Sequence, residues 1–186
     1  TDTDGTEYLS NILGVTAGGN QTLVITNNYE VYTWGGDEKG QLGVDSKIDR
    51  FAPVKVWKGD TFNQDEDPYL KNVIGAAMGA NHTVIIRDDG YVWAWGDNTY
   101  GQRGIEAKNS KYSQYASFTV KGASAGDNAD GALNDFIDIT IGDTFISALR
   151  RDGNVFSWGS GSYGQIGKGF FTEALAPTPV SYTHLR

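Results

Sequence analysis

The chain has 186 residues, and its 15 Lys and Arg against 23 Asp and Glu give a formal net charge of −8. That balance argues against sequence-independent binding to phosphate backbones, which relies on clustered cations. The lack of cysteine excludes disulfides and thiolate metal sites, and no apolar run approaches the ~18–20 residues of a membrane-spanning helix.

One phrase is written three times. Val31-Tyr32-Thr33-Trp34-Gly35 is followed by Gly40-Gln41-Leu42-Gly43, Val92-Trp93-Ala94-Trp95-Gly96 by Gly101-Gln102-Arg103-Gly104, and Val155-Phe156-Ser157-Trp158-Gly159 by Gly164-Gln165-Ile166-Gly167. The Trp-Gly pairs lie 61 and then 63 residues apart. A period in that range marks units that cannot bury their own apolar faces and must stack on neighbours. Aligned on the tryptophans, Gly18, Gly79 and Gly142 match, as do Leu9, Leu70 and Leu133, then Ile12, Val73 and Phe136. Val56, Val120 and Val180 close the units. The expected boundaries are about 8–68, 69–131 and 132–180, within a repeat domain 1–180. Residues 181–186 are expected to be a tail of different composition and of non-native origin.

Each unit predicts four short strands, in the second roughly Val73–Met78, Thr83–Arg87, Tyr91–Trp95 and Ser117–Val120. Asp89-Gly90 and Asp152-Gly153 predict type I′ hairpin turns between the second and third strands. The first unit has Asn28-Tyr29 there, and tyrosine adopts a left-handed conformation only at a cost. Small residues at Thr33, Ala94 and Ser157 beside each tryptophan suit a strand pressed closely against one neighbour. Short four-stranded units arranged radially make a β-propeller. The predicted fold class is therefore all-β, a partial β-propeller of three four-stranded antiparallel blades.

Several motifs point to chemistry and are better read as structure. Gly159-Ser160-Gly161-Ser162-Tyr163-Gly164 fits a dinucleotide fingerprint, but no helix is predicted to follow it, so it is a repeat turn. Asn20-Gln21-Thr22 and Asn81-His82-Thr83 fit the N-glycosylation acceptor, yet share one repeat slot at the start of a buried strand. Asp2-Thr3-Asp4-Gly5 and Asp127-Asn128-Ala129-Asp130-Gly131 lack the full spacing of a calcium loop. Two histidines and no cysteine leave little material for a nucleophilic triad. No enzyme activity, cofactor or metal is predicted.

Repeating residues hold a propeller together, whereas its variable loops carry function. Trp57 stands outside the shared pattern and is the one indole predicted at the surface. Asp65, Glu66 and Asp67, with Asp60 and the equivalent Asp2, Asp4, Glu7, Asp127, Asp130 and Asp135, predict an acidic rim that would attract a basic partner or simply solubilise the protein. Tyr112, Phe170 and Phe171 are predicted in variable loops, the composition of a binding hot spot, with Tyr100 and Tyr163 beside the Gly-Gln motif as weaker candidates of the same kind.

The repeat resembles the regulator of chromosome condensation repeat. That family's pattern, roughly A-x-G-x-x-H-(S/T)-hydrophobic and then D-G-x-V-(Y/W)-x-W-G and G-Q-L-G, stands nearly intact as Ala77-Met78-Gly79-Ala80-Asn81-His82-Thr83 through Gly104. Gln21 and Phe145 replace its histidine and Arg103 its leucine. The resemblance implies a seven-bladed ring, which at this period needs roughly 430 residues, so the chain is expected to be a piece of a longer protein or to self-associate through open edges. It further implies a protein-interaction scaffold, as in secreted or surface-displayed bacterial relatives. The alternatives are nucleotide exchange on a small GTPase, enzyme inhibition and glycan binding. The expected partner is a protein, basic if the acidic rim recruits it, with no nucleic acid and no membrane span.

Overall fold

The computed structural model describes residues 8–59, 67–105, 112–118, 133–169 and 171–181, with 112–118 as backbone alone. Every regular element among them is a strand. The first sheet holds β1 (Ile12–Gly18), β2 (Gln21–Thr26), β3 (Val31–Gly35) and β4 (Arg50–Lys55) in that order. The second holds β5 (Val73–Met78), β6 (His82–Arg87), β7 (Val92–Asp97) and β8 (Tyr112–Phe118). The third holds β9 (Phe136–Ile141), β10 (Phe145–Arg150), β11 (Val155–Gly159) and β12 (Ala174–Pro179). All neighbouring strands are antiparallel. Trp34, Trp95 and Trp158 pair with Thr22, Thr83 and Ile146, so the repeat is one structural register.

The blades touch sideways, β5 against β1 and β2, and β9 against β5 and β6. Both apolar clusters lie between blades. One joins Leu23, Ile25, Val31 and Val56 of the first to Leu70, Val73 and Trp95 of the second. The other joins Val84, Ile86 and Val92 of the second to Leu133, Phe136, Ile146 and Trp158 of the third. A four-stranded blade has too little volume for a core of its own, and stacking supplies the missing wall. A hydrogen bond fixes each joint: Trp95 Nε1 donates to the Gln41 carbonyl at 2.8 Å, and Trp158 Nε1 to the Gln102 carbonyl at 2.8 Å. Gly43 must lack a side chain, because a Cβ there would stand 2.7 Å from Trp95 Nε1. This explains why Trp-Gly and Gly-Gln-x-Gly recur together: each motif meets the other's copy in the adjacent blade.

The hairpins between second and third strands correct the type I′ expectation. Gly90 N–H donates to the Arg87 carbonyl at 2.9 Å and Arg87 N–H to the Tyr91 carbonyl at 3.0 Å. Gly90 has φ 76° and neither Asp88 nor Asp89 is left-handed. One left-handed residue after the turn gives a three-residue loop with a glycine bulge. Gly153 repeats this at φ 87°, but Tyr29 holds the same slot at φ 59°. Tyr29→Gly is therefore expected to raise stability by roughly 0.5–1 kcal/mol in urea unfolding, the steric relief exceeding glycine's greater chain entropy. A lower midpoint would show that the exposed tyrosine ring is itself stabilising.

The outer strand of the second blade starts earlier than predicted. Tyr112 lies in β8 with its backbone paired to Asp97, not in a variable loop. The second and third strands also shift by a residue or two, to His82–Arg87 and Val92–Asp97.

Candidate interaction surface

Antiparallel strands alternate direction, so the connections of each blade fall on two opposite faces. The β1–β2 turns and β3–β4 loops share one face, where Gly36 N–H donates to the Asn20 carbonyl at 2.8 Å and Asp97 N–H to that of Asn81 at 2.9 Å. The hairpins and the inter-blade connectors share the other, where Asp88 N–H donates to the Asn72 carbonyl at 2.9 Å.

On the first face the Gly-Gln turns are built by their own side chains. Gln41 Oε1 accepts the Lys39 N–H, Gln102 Oε1 that of Tyr100 and Gln165 Oε1 that of Tyr163, each at 2.8 Å. Asp37 Oδ1 accepts the Leu42 N–H at 2.9 Å, and Asn98 does the same for Arg103. Asp37 is fully buried and its second carboxylate oxygen has no partner among the described residues. Burial pushes its pKa up to about 6, against the lowering effects of the Leu42 N–H and the Arg50 charge. Such turns leave the residue before each Gly-Gln at the loop tip: Lys39 in the first blade, Tyr100 and Tyr163 in the others. Tyr163 is 89% exposed and Phe171 is also exposed on this side, while Tyr100 is only partly so.

Trp57 and Asp67 lie on the opposite face, in the connector between the first two blades. The Trp57 ring is 41% exposed and meets Tyr69 edge-on at 6.1 Å, and the two backbones form an isolated antiparallel bridge. Lys55 Nζ stands 5.4 Å above the Tyr69 ring and 5.7 Å from that of Tyr32, and is held by Glu30 at 2.9 Å. That hydrogen bond raises the lysine pKa. Beside this cluster lies a cleft of about 210 Å³ bounded by Lys58, Asp67, Tyr69, Lys71 and Arg87. The Lys71 ammonium, 2.6 Å from Asp67, holds that carboxyl below its usual range.

The structure thus divides the predicted site. Tyr100, Tyr163 and Phe171 share one face, Trp57 and Asp67 the other. Asp65, Glu66 and Phe170 lie outside the described residues, as do Asp2, Asp4, Glu7, Asp60, Asp127 and Asp130. The acidic rim is therefore represented here only by Asp67 and Asp135. Lys55, Lys58, Tyr69, Lys71 and Arg87 were missed by sequence reasoning. Tyr69 and Arg87 occupy repeat slots shared with Tyr8 and Arg150, which hid them among framework residues; Lys58 and Lys71 bracket the acidic run and were readable as its counterions. Among the described residues no group of three or more His, Asp or Glu is arranged to hold a metal ion, and no helix is long and apolar enough to cross a membrane.

Tryptophan-anchored blades of four antiparallel strands, each joined to the next by an indole-to-carbonyl hydrogen bond, define a repeat protein of the β-propeller class. Two models of the regulator of chromosome condensation (RCC1) repeat match it, one over residues 73–102 and 136–165, the other over 30–86 and 152–184. The chain belongs to the RCC1 repeat family. It is 31% identical over 175 residues to the X-linked retinitis pigmentosa GTPase regulator of Canis lupus familiaris, and 25% identical over 174 residues to the probable E3 ubiquitin-protein ligase HERC4 of Homo sapiens. These alignments cover 90% and 91% of this chain but only 15% and 14% of those proteins. Among solved structures, Prp20p of Saccharomyces cerevisiae superposes with a TM-score of 0.74 at 19% identity, covering 94% of this chain and 39% of that one. Human WBSCR16 does so with a TM-score of 0.72 at 23% identity, covering 93% and 38%. At such identities the likeness concerns the fold.

Proposed function

We propose that this chain is a non-enzymatic protein-interaction module, a propeller scaffold that engages a protein partner through its loops. The observation that carries this reading is Trp57, an indole outside the repeat, 41% exposed and braced by Tyr69 beside a lysine-rich cleft. A half-exposed aromatic that is held rigid loses little entropy on binding and offers a large apolar area, the composition of an interface anchor. Similar proteins support the reading: Prp20p of Saccharomyces cerevisiae has binding properties to Gsp1p and histones, and yeast RCC1 has been crystallised bound to Kap60. The acidic sequence run Asp65-Glu66-Asp67 would favour a basic partner.

The test is comparative capture with wild type, Trp57→Ala and Tyr163→Ala, followed by quantitative mass spectrometry. A partner retained by Tyr163→Ala and depleted at least about tenfold by Trp57→Ala, equivalent to a hot-spot residue, is the expected result. Identical captured sets for all three proteins would overturn the assignment of this surface.

A second reading is nucleotide exchange on a small GTPase, favoured by similarity to a protein named as a GTPase regulator. It requires accelerated release of a fluorescent guanine nucleotide from a cognate GTPase; unchanged rates across a GTPase panel dispose of it.

A further inference from the structure

The cleft beside Trp57 is a recurring feature of the fold with a charge of its own. In the first blade Tyr8, Leu9, Ser10, Asn11 and Thr26 border a cleft of about 220 Å³. In the second, the same slots hold Tyr69, Leu70, Lys71, Asn72 and Arg87, which border one of about 210 Å³ completed by Lys58 and Asp67. The repeat thus supplies the shape, while Lys71 and Arg87 stand where the first blade has Ser10 and Thr26. The walls come from the connector between the first two blades and from the second blade, which has a blade packed on either side of it.

Cations here exceed the anions set against them. Lys58, Lys71 and Arg87 bring three positive charges, against the two negative ones of Asp67 and Asp89. Each of those carboxylates is committed at both oxygens. Asp67 accepts the Tyr69 N–H at 3.0 Å and pairs with the Lys71 ammonium at 2.6 Å. Asp89 accepts the Tyr91 N–H at 3.1 Å and pairs with Arg87 Nη1 at 3.1 Å. The cations keep donors in reserve, since an ammonium has three N–H groups and a guanidinium five. Arg150, in the Arg87 slot of the third blade, turns both Nε and Nη2 onto Asp152. Arg87 approaches its aspartate through Nη1, and its Nε has no partner among the described residues.

We propose that this cleft receives the carboxylate of an acidic side chain on the protein partner that Trp57 anchors. The inference rests on the reading of Trp57 as an interface anchor and names the chemistry of the segment it engages. Charge selects the ligand: one carboxylate neutralises the excess of one cation, whereas a phosphate group, at about −1.5 to −2, would overshoot it. Tyr69 meets Trp57 edge-on and lines the cleft, so an apolar residue resting on the indole places its neighbour at the cations. The chain's net charge of −8 repels acidic proteins at large, and the cleft therefore selects for one acidic position within a segment.

A phage-displayed library of random peptides tests this when panned on wild type, Trp57→Ala and Lys58→Glu/Lys71→Glu. Lys58 is partly exposed and Lys71 exposed, so the double variant should fold, which far-UV circular dichroism would verify. Peptides held by wild type and lost from the double variant are expected to share an Asp or Glu beside an aromatic or aliphatic residue. In fluorescence anisotropy, changing that acid to its amide should weaken binding to wild type at least about tenfold and to the double variant hardly at all. Selected peptides without a shared acid would overturn the inference, as would an equal loss from the amide change in both proteins. So would a library in which no peptide distinguishes wild type from the double variant. Acidic peptides that bind Trp57→Ala as tightly as wild type would uphold the cleft and remove the indole. Peptides lost with Trp57→Ala but indifferent to their acid would do the reverse.

Discussion

Trp95→Ala is expected to cost about 3–5 kcal/mol of unfolding free energy, while the same change at Trp34 costs only about 1 kcal/mol. The two residues share one repeat slot, one strand position and one side-chain type, and differ in what stands beside them. Trp95 is fully buried between Leu23, Val31 and Val73, and its N–H donates to the Gln41 carbonyl at 2.8 Å. Trp34 is half-buried and makes no such bond among the described residues. Truncating Trp95 removes the largest side chain of the first joint and leaves a cavity that neither blade can collapse without moving the Gly43 turn pressed upon it. Trp95→Phe separates the terms: most of the volume survives, Thr83 still donates to the Gln41 carbonyl, and the loss should fall to about 1–2 kcal/mol. Urea unfolding of the four proteins provides the comparison. Equal losses at positions 34 and 95 would mean that the indole acts inside its own blade, contrary to the geometry of the joint.

Acid should destabilise the protein through His82, and a phenylalanine there should abolish that effect. His82 is 1% exposed, neither ring nitrogen has a partner among the described residues, and burial pushes its pKa down to about 4 against the opposing charge of Asp97. The unfolded chain takes up the proton first, near pH 6.5, so stability present above that value is lost as pH falls toward 4. The shift corresponds to about 3 kcal/mol across the window. Asp37 works in the opposite sense: its folded pKa, about 6, lies above the unfolded 3.8, so its contribution is complete below pH 4 and is lost as pH rises through 6. The two groups offset each other between pH 4 and 6. Asp37→Asn, which copies the residue at Asn98, should therefore steepen the acid loss, whereas His82→Phe, which copies Phe145, should leave a protein that gains stability on mild acidification. Chemical denaturation at pH 4.5 and 7.5 reads both. An acid response unchanged in His82→Phe would remove the histidine from the account.

The blades were legible because their cause is periodic. A residue that must meet its counterpart in the next unit recurs at the spacing of the units, and Trp95, Gln41 and Gly43 all do. What failed was geometry that several residue types can satisfy. Asp89-Gly90 fits both a type I′ turn and a glycine bulge, and only the backbone distinguishes them. Asn11, Asn72 and Asp135 carry the chain through left-handed turns at φ 58°, 62° and 61° just before each inner strand, a regularity hidden by the change of residue type. Tyr112 looked like loop because its stretch matches neither other unit, although edge pairing to β7 does not demand apolar alternation. For the site, Trp57 stood out by falling outside the repeat, yet its neighbour Tyr69 was masked by lying within it. The split of Trp57 from Tyr163 required only strand parity, since connections after odd and even strands leave opposite faces.

The acceptor at each joint is a main-chain oxygen, supplied by Gln41 and again by Gln102. A socket made of backbone survives nearly any drift in the side chains around it, so a tandem gene duplication yields a module that docks on its parent from the first generation. Blade number in such a lineage can then change by copying or loss of whole modules, without coordinated substitutions at every new seam.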